Sequence, residues 1–214
     1  MSQTDPDRGI LAAARRVLAS DPRAPMSVVA GAAGVGMSAL YRRFPSKSAL
    51  LRALVAEVES AYLTQLDRAH AAIDEGRDGY EVLVEFVLAL LQAGAASLSP
   101  RLPGMTEAGA QDVDRWTEIS ERNRALFERV SSSGALREGV TFHDFGLVVF
   151  ALGTVQGPDP ERTWQLQQRI AVVVLDGLRP VHGPLPGAGA SRRDIYGTGG
   201  GPPPASDRRG RPRS

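Results

Sequence analysis

Apolar residues recur at three- and four-residue intervals along most of the chain, the spacing that puts them on one face of an α-helix. Ile10, Leu11, Ala14, Val17 and Leu18 mark a first amphipathic helix that ends near Asp21 and Pro22. Ser27 follows as the expected N-cap of a short second helix, on which Val28, Val29 and Ala32 share a face. Gly34 stands where that helix should end in the left-handed region, which a β-carbon resists by about 1 kcal/mol or more. The turn therefore reads Gly34, Val35, Gly36. A third helix begins at Met37, with Leu40 and Phe44 one turn apart and pointing inward, and Pro45 stops it. Tyr41, Arg42 and Arg43 are left facing outward. Ser46 caps a fourth helix whose apolar face starts with Leu50, Leu51, Leu54, Val55 and Val58. The same face continues through Tyr62, Leu66, Ala69 and Ile73 to about Glu75.

Beyond a break at residues 76–79, the pattern stays helical and no run alternates with the two-residue period of a strand. Leu83, Phe86, Val87, Leu90 and Leu91 predict a helix lasting to about Ser97, and a loop follows over residues 100–104. Val113, Trp116, Ile119, Leu126, Phe127 and Val130 mark the next, closed by residues 131–134. Two final helices are expected over residues 142–156 and 160–178, separated by the sequence GPDP. Phe145, Leu147, Val148, Val149, Phe150, Leu152 and Val155 nearly encircle the first of these, and Ile170, Val172, Val173, Val174, Leu175 and Leu178 the second. A helix apolar on most sides needs partners on most sides. Part of this surface is therefore expected to meet a second subunit, with Gly153 and Gly157 permitting close approach.

The fold class is all-α. Residues 1–55 form an N-terminal three-helix domain containing a helix-turn-helix, joined by a long helix to a helical bundle over residues 56–182. Residues 183–214, rich in Gly, Pro and Arg, hold too few apolar side chains to offset chain entropy and are expected to be disordered.

Charge separates the same regions. The net charge of the 214-residue chain is only +1, but residues 1–55 hold eight Lys or Arg against three Asp, whereas residues 56–134 hold seven against fourteen acidic residues. A basic head on an acidic body steers the head toward a polyanion. Six arginines against two aspartates in residues 183–214 add a weak, sequence-independent attraction to the same target, or serve as a solvated end.

Lys47 sharpens that expectation, because a cation in the first turn of a helix opposes the helix dipole unless an anion compensates it. Helix N-termini present free N–H groups, so a phosphate is the natural anion. With Tyr41, Arg42 and Arg43 beside it, the stretch from Met26 to Leu51 points to DNA.

The sequence AGAAGVGMSALYRRFPSKSALL within this stretch resembles the N-terminal DNA-binding domain of the TetR family of bacterial transcriptional regulators. The resemblance covers roughly residues 9–58 and lies in the small residues, the Gly-Val turn, a short helix ending in Leu-Tyr-x-x-Phe, and a Lys at the next helix start. It implies that the helix over residues 37–44, with Met37 and Ser38 at its start, enters the major groove. It also implies that Tyr41 and Lys47 hold phosphates and that Ser27 touches the backbone. This chain departs from the common pattern at Gly36, Met37 and Ala39, so hydrogen-bonded base readout is thin there. Met37 and Ala39 are instead suited to thymine methyls, and Arg42 or Arg43 to guanine O6 and N7, a pairing that discriminates by roughly 1–3 kcal/mol.

For the body, the resemblance implies a dimer built on the two final helices, residues 142–156 and 160–178, and a two-fold protein matches a palindromic operator in double-stranded DNA. It also implies an effector site between the middle helices that changes the spacing of the heads. Candidate pocket residues are Phe86, Leu90, Met105, Trp116, Phe127 and Phe150, with Asn123 and Gln156 as polar contacts. The resulting reading is a repressor released by a small apolar effector; the alternative is a DNA-binding activator or architectural protein without one. No cofactor is expected. An enzyme is not expected either: His70, His143 and His182 are scattered, His143-Asp144 and Asp74-Glu75 point apart on a helix, and neither G-x-S-x-G nor H-E-x-x-H occurs. Cysteine is absent, which removes disulfides and thiolate metal sites. With no signal-peptide pattern and no apolar run near 20 residues, the expected location is the bacterial cytoplasm, in association with the nucleoid and not with a membrane.

Overall fold

Helix caps and glycine stops divide the chain in a computed structural model that describes residues 6–21, 23–96, 110–181, 183, 185–191 and 194. Among the described residues there are eight helices and no strand: α1 (Pro6–Ser20), α2 (Met26–Ala33), α3 (Met37–Arg43), α4 (Lys47–Asp74), α5 (Gly79–Gln92), α6 (Ala110–Ser132), α7 (Phe142–Thr154) and α8 (Pro160–Asp176). The chain forms two compact units, Met1–Val58 and Glu59–Ser214, and α4 contributes residues to both.

The first unit is built on one apolar cluster. Ile10, Ala14 and Leu18 of α1 meet Met26, Val29 and Ala30 of α2, Leu40 of α3, and Leu50 and Leu54 of α4. The inward face of α2 therefore differs from the expected one, since Val28 and Ala32 are exposed. Its N-cap also differs: the helix starts two residues earlier, at Met26, behind Pro25 in extended conformation, and no side chain caps it. Proline has no N–H to lose and its fixed φ suits the entry to a helix, so Ser27 is carried into the first turn.

In the second unit, α5 packs against α6, α7 and α8. Asp78 accepts from the Glu81 N–H at 2.9 Å and so caps α5, whose face of Val82, Leu83, Phe86, Val87, Leu90 and Leu91 is buried. This helix ends at Gln92, short of the expected Ser97, because Gly94 takes a left-handed φ of 68° and closes it. α6 brings Ile119, Leu126, Phe127 and Val130 to the core, and α7 brings Phe145, Val149 and Leu152. Asp159 caps α8 through the Arg162 N–H at 2.8 Å, with Pro160 at its first position.

Gly157 has a different role from the one its spacing suggests. It lies outside α7, and a Cβ there would sit 2.8 Å from the Thr163 nitrogen and 2.9 Å from the Arg162 carbonyl carbon. Glycine thus lets the connection fold back on the start of α8, where the Gly157 N–H donates to Thr163 Oγ1 at 2.9 Å. Gln167, buried, fastens the same connection by donating from Nε2 to the Val155 carbonyl at 3.1 Å.

Thr141 and Asp144 form a reciprocal capping box at the start of α7. Asp144 is therefore committed to structure and is not a simple surface charge. It also accepts from the Ala190 N–H at 2.8 Å, while Thr141 Oγ1 donates to the Ala190 carbonyl at 3.0 Å. Within the segment expected to be disordered, the backbone groups of Ala190 thus find partners that composition does not reveal. Residues 195–214 lie outside the described residues. Burial pushes the Asp144 carboxyl up, but hydrogen bonds from Ala190 and Thr141 outweigh it and hold the group below its ordinary value.

No helix among the described residues is long and apolar enough to cross a membrane.

Candidate nucleic-acid interface

The interface is assembled around the turn between α2 and α3. Gly34 has φ 66° and ψ 27°, and around it the Val35 N–H reaches back to the Ala30 carbonyl at 3.0 Å and the Gly34 N–H to Gly31 at 3.2 Å. These two bonds close the orphan carbonyls of α2. A Cβ at Gly34 would meet nothing within 4 Å, so the backbone angle alone demands glycine. Gly36, by contrast, is extended at φ −71° and ψ 150° and is the N-cap of α3, its carbonyl accepting from the Leu40 N–H at 3.0 Å.

α3 is oriented by its buried side. Leu40 is completely buried and Phe44 nearly so, and the Phe44 N–H closes the helix on the Leu40 carbonyl at 2.8 Å. Helical geometry then turns Met37, Ser38, Tyr41 and Arg42 outward, with Met37 39% and Tyr41 45% exposed. Tyr and Arg at this density, beside an exposed Met, can contact phosphate oxygens, base edges and thymine methyls. Ser46 caps α4 as expected, accepting from the Ala49 N–H at 3.1 Å.

Two of the expected DNA contacts are engaged within the protein. Lys47 is half-buried, and its ammonium donates to the Ala24 carbonyl at 2.7 Å, tying the start of α4 to the loop after α1. That carbonyl, rather than an external anion alone, offsets the cation at the helix N-terminus. Arg43 is exposed and forms an ion pair with Asp7 of α1. Ser27 is exposed in the first turn of α2. Arg42 has no ion pair among the described residues.

The expected effector residues are distributed through the second unit. Phe86, Leu90 and Phe127 are buried, Phe150 is half-buried and Gln156 is exposed. Met105 and the Trp116 side chain lie outside the described residues. Phe86 meets the Tyr62 ring edge-on at 5.7 Å, whereas Phe127 lies 5.9 Å from Phe142 and 5.8 Å from Phe145. The aromatic residues thus form two separate contacts. Asn123 is half-buried, and its Oδ1 is shielded from solvent with no hydrogen-bond partner among the described residues.

Helical periodicity overlooks one buried acid. Glu59 is 4% exposed, and its Oε2 pairs with Arg115 Nε at 2.8 Å. Its signal is its place beside Val58 and one turn before Tyr62, both on the inward face of α4. His70 is likewise more engaged than its isolation in sequence suggests: Nε2 lies 3.1 Å from the Arg122 carbonyl, and Nδ1 lies 3.4 Å from an Arg129 nitrogen. Asp74 pairs with that same Arg129 at 2.6 Å. No group of three or more His, Asp or Glu that could hold a metal ion occurs among the described residues.

Comparison with known proteins supports the same part of the chain. Residues 10–54 match the family described as bacterial regulatory proteins, tetR family. The nucleoid occlusion factor SlmA of Vibrio vulnificus is 33% identical over 135 residues, covering 58% of this chain and 65% of that protein. The match thus spans slightly less than two thirds of these relatives' length. The HTH-type transcriptional repressor LfrR of Mycolicibacterium smegmatis is 44% identical over 62 residues, covering 29% of this chain and 33% of LfrR. The solved structure of the TetR-like regulator LfrR from Mycobacterium smegmatis, in complex with proflavine, shares the fold with a TM-score of 0.59. It is 23% identical and covers 84% of this chain and 99% of that one. The first unit thus carries the N-terminal domain of the bacterial regulatory proteins of the tetR family.

Proposed function

We propose that the protein is a DNA-binding transcriptional regulator, a repressor that binds a palindromic operator as a homodimer and is released by a small apolar effector. The observation that carries the DNA reading is the outward row Met37, Ser38, Tyr41 and Arg42 on a helix anchored from behind by the buried Leu40. In this reading α3 lies in the major groove, and Ser27 and Lys47 contact phosphates on either side. In this reading Arg42 meets the DNA, at a phosphate or at a base edge.

Dimerisation is supported by the apolar surface of the last two helices. Val172 and Val173 are 59% and 68% exposed, with Ile170 and Val174 beside them on α8 and Leu147 on α7. Such residues on neighbouring turns form a patch of the kind that subunits cover. Two heads related by a two-fold axis then read two half-sites one helical turn of DNA apart.

The effector reading rests on the buried aromatic residues of α5 and α6 and on the unpartnered Asn123 Oδ1. The LfrR structure with proflavine makes a planar, largely aromatic molecule a sensible first probe. An effector shifts DNA affinity only by its differential affinity for the two states of the dimer, and α4, which contributes to both units, is the element through which that difference passes.

A second reading is favoured by the similarity to the SlmA proteins, named as nucleoid occlusion factors. It is a DNA-binding protein on the nucleoid that works without a small-molecule effector. Selection of bound duplexes from a random pool, followed by affinity measurements with a compound library, separates the readings. An enriched inverted repeat whose binding is weakened by some compounds supports the first, and an inverted repeat with constant affinity supports the second. A pool that shows no enrichment refutes both.

A further inference from the structure

Arg42 and Arg43 are neighbours at the end of α3, yet the first unit treats them differently. Arg43 is held by Asp7, which sits in the first turn of α1, where the helix dipole favours a carboxylate. The two residues are 36 positions apart in sequence, so the pair is made by the fold and not by local geometry. Both side chains remain partly exposed, which keeps the pair weak enough to exchange with another anion. A DNA phosphate is such an anion, but it must displace a carboxylate and approach a negative charge to reach Arg43.

We infer that Asp7 is a positioning residue that withholds Arg43 from the DNA backbone and so lowers the sequence-independent part of binding. The inference rests on the DNA-binding reading above. Each head then releases counterions through Arg42 and Lys47, with Arg43 compensated by Asp7. Four such cations in a dimer predict a loss of affinity on the order of a hundredfold between about 50 and 200 mM salt. Freeing Arg43 on both heads raises the count to six and the loss to on the order of a thousandfold. Sequence-independent affinity grows while base contacts stay the same, so the ratio between a selected duplex and an unrelated one narrows.

The test measures the salt dependence of binding to a selected and an unrelated duplex for the full chain. Asp7→Asn is expected to steepen the salt dependence by about tenfold over the same interval and to raise affinity for the unrelated duplex more than for the selected one. Asp7→Ser, equally neutral, must do the same, and Asp7→Glu must restore the original behaviour. In an Arg43→Ala background, Asp7→Asn must leave the slope unchanged, because its effect runs through the arginine. An unchanged slope in Asp7→Asn, or an equal steepening in the Arg43→Ala background, overturns the inference while leaving the DNA reading intact. If the unaltered protein binds no duplex, the DNA reading fails and the inference falls with it.

Discussion

Gly34 and Gly36 lie two residues apart in one turn, and the same substitution at the two sites should have opposite effects. At both positions a Cβ would meet nothing within 4 Å, so crowding plays no part in either. Replacing glycine by alanine narrows the unfolded ensemble and stabilises a compatible site by about 0.4–1 kcal/mol. Gly36, at φ −71° and ψ 150°, is compatible, and Gly36→Ala should stabilise the first unit by that amount. Gly34, at φ 66°, instead charges alanine about 1–2 kcal/mol for the left-handed conformation, so Gly34→Ala should be neutral to destabilising by about 1.5 kcal/mol. The unfolded-state contribution is common to both variants and cancels between them. Their stabilities should therefore differ by about 1–2 kcal/mol, the conformational cost alone. Amide exchange across residues 26–44 reads the local opening free energy in each variant. Equal stabilities, or a greater loss at Gly36, would show that the handedness of Gly34 does not decide this turn.

Thr141→Ala should cost about 1 kcal/mol by removing the cap of α7, measured by thermal denaturation. Asp144 has a folded pKa below its unfolded one, so its contribution is present above the ordinary carboxylate range and is lost as pH falls through the depressed value. Asp144→Asn should therefore lose stability at neutral pH and flatten the decline at acid pH, and a parallel decline in both proteins would contradict the assignment. Phe127→Ala, which leaves a cavity between α6 and α7, should destabilise the second unit by about 3–5 kcal/mol in urea titrations. Val173→Asp places a charge on the exposed apolar face of α8 and should convert a dimer to monomers in sedimentation while helix content stays the same; an unchanged sedimentation coefficient would refute the assigned interface.

Much of the first unit was legible because its signals are local. Gly34 must satisfy a backbone angle, Ser46 offers a hydroxyl three residues from the N–H it bonds, and Leu40 and Phe44 lie one turn apart. Ser27 misled because capping propensity is a property of a residue, whereas the helix start was set by its neighbour Pro25. Arg43 is legible as an outward cation and Lys47 as a cation in the first turn of its helix, but their partners Asp7 and Ala24 are 36 and 23 residues away and carry no periodic signal. The second unit hid more for the same reason. Gly157 fits a helix-contact spacing but serves a chain reversal, and Glu59 interrupts an apolar face with a charge whose partner is Arg115. Gly94 does carry a local stop signal, and the small apolar residues that follow it masked the end of α5.

The fastening of Ala190 to the capping box of α7 also bears on how the chain is made. Asp144 and Ala190 are 46 residues apart, so α7 emerges from the ribosome well before the segment that completes its N-terminus. During that interval Thr141 and Asp144 can cap the helix only by themselves. Any truncation upstream of residue 190 would leave the finished protein with this half-completed helix start, and a shortened chain would report on the body of the protein as well as on the segment removed.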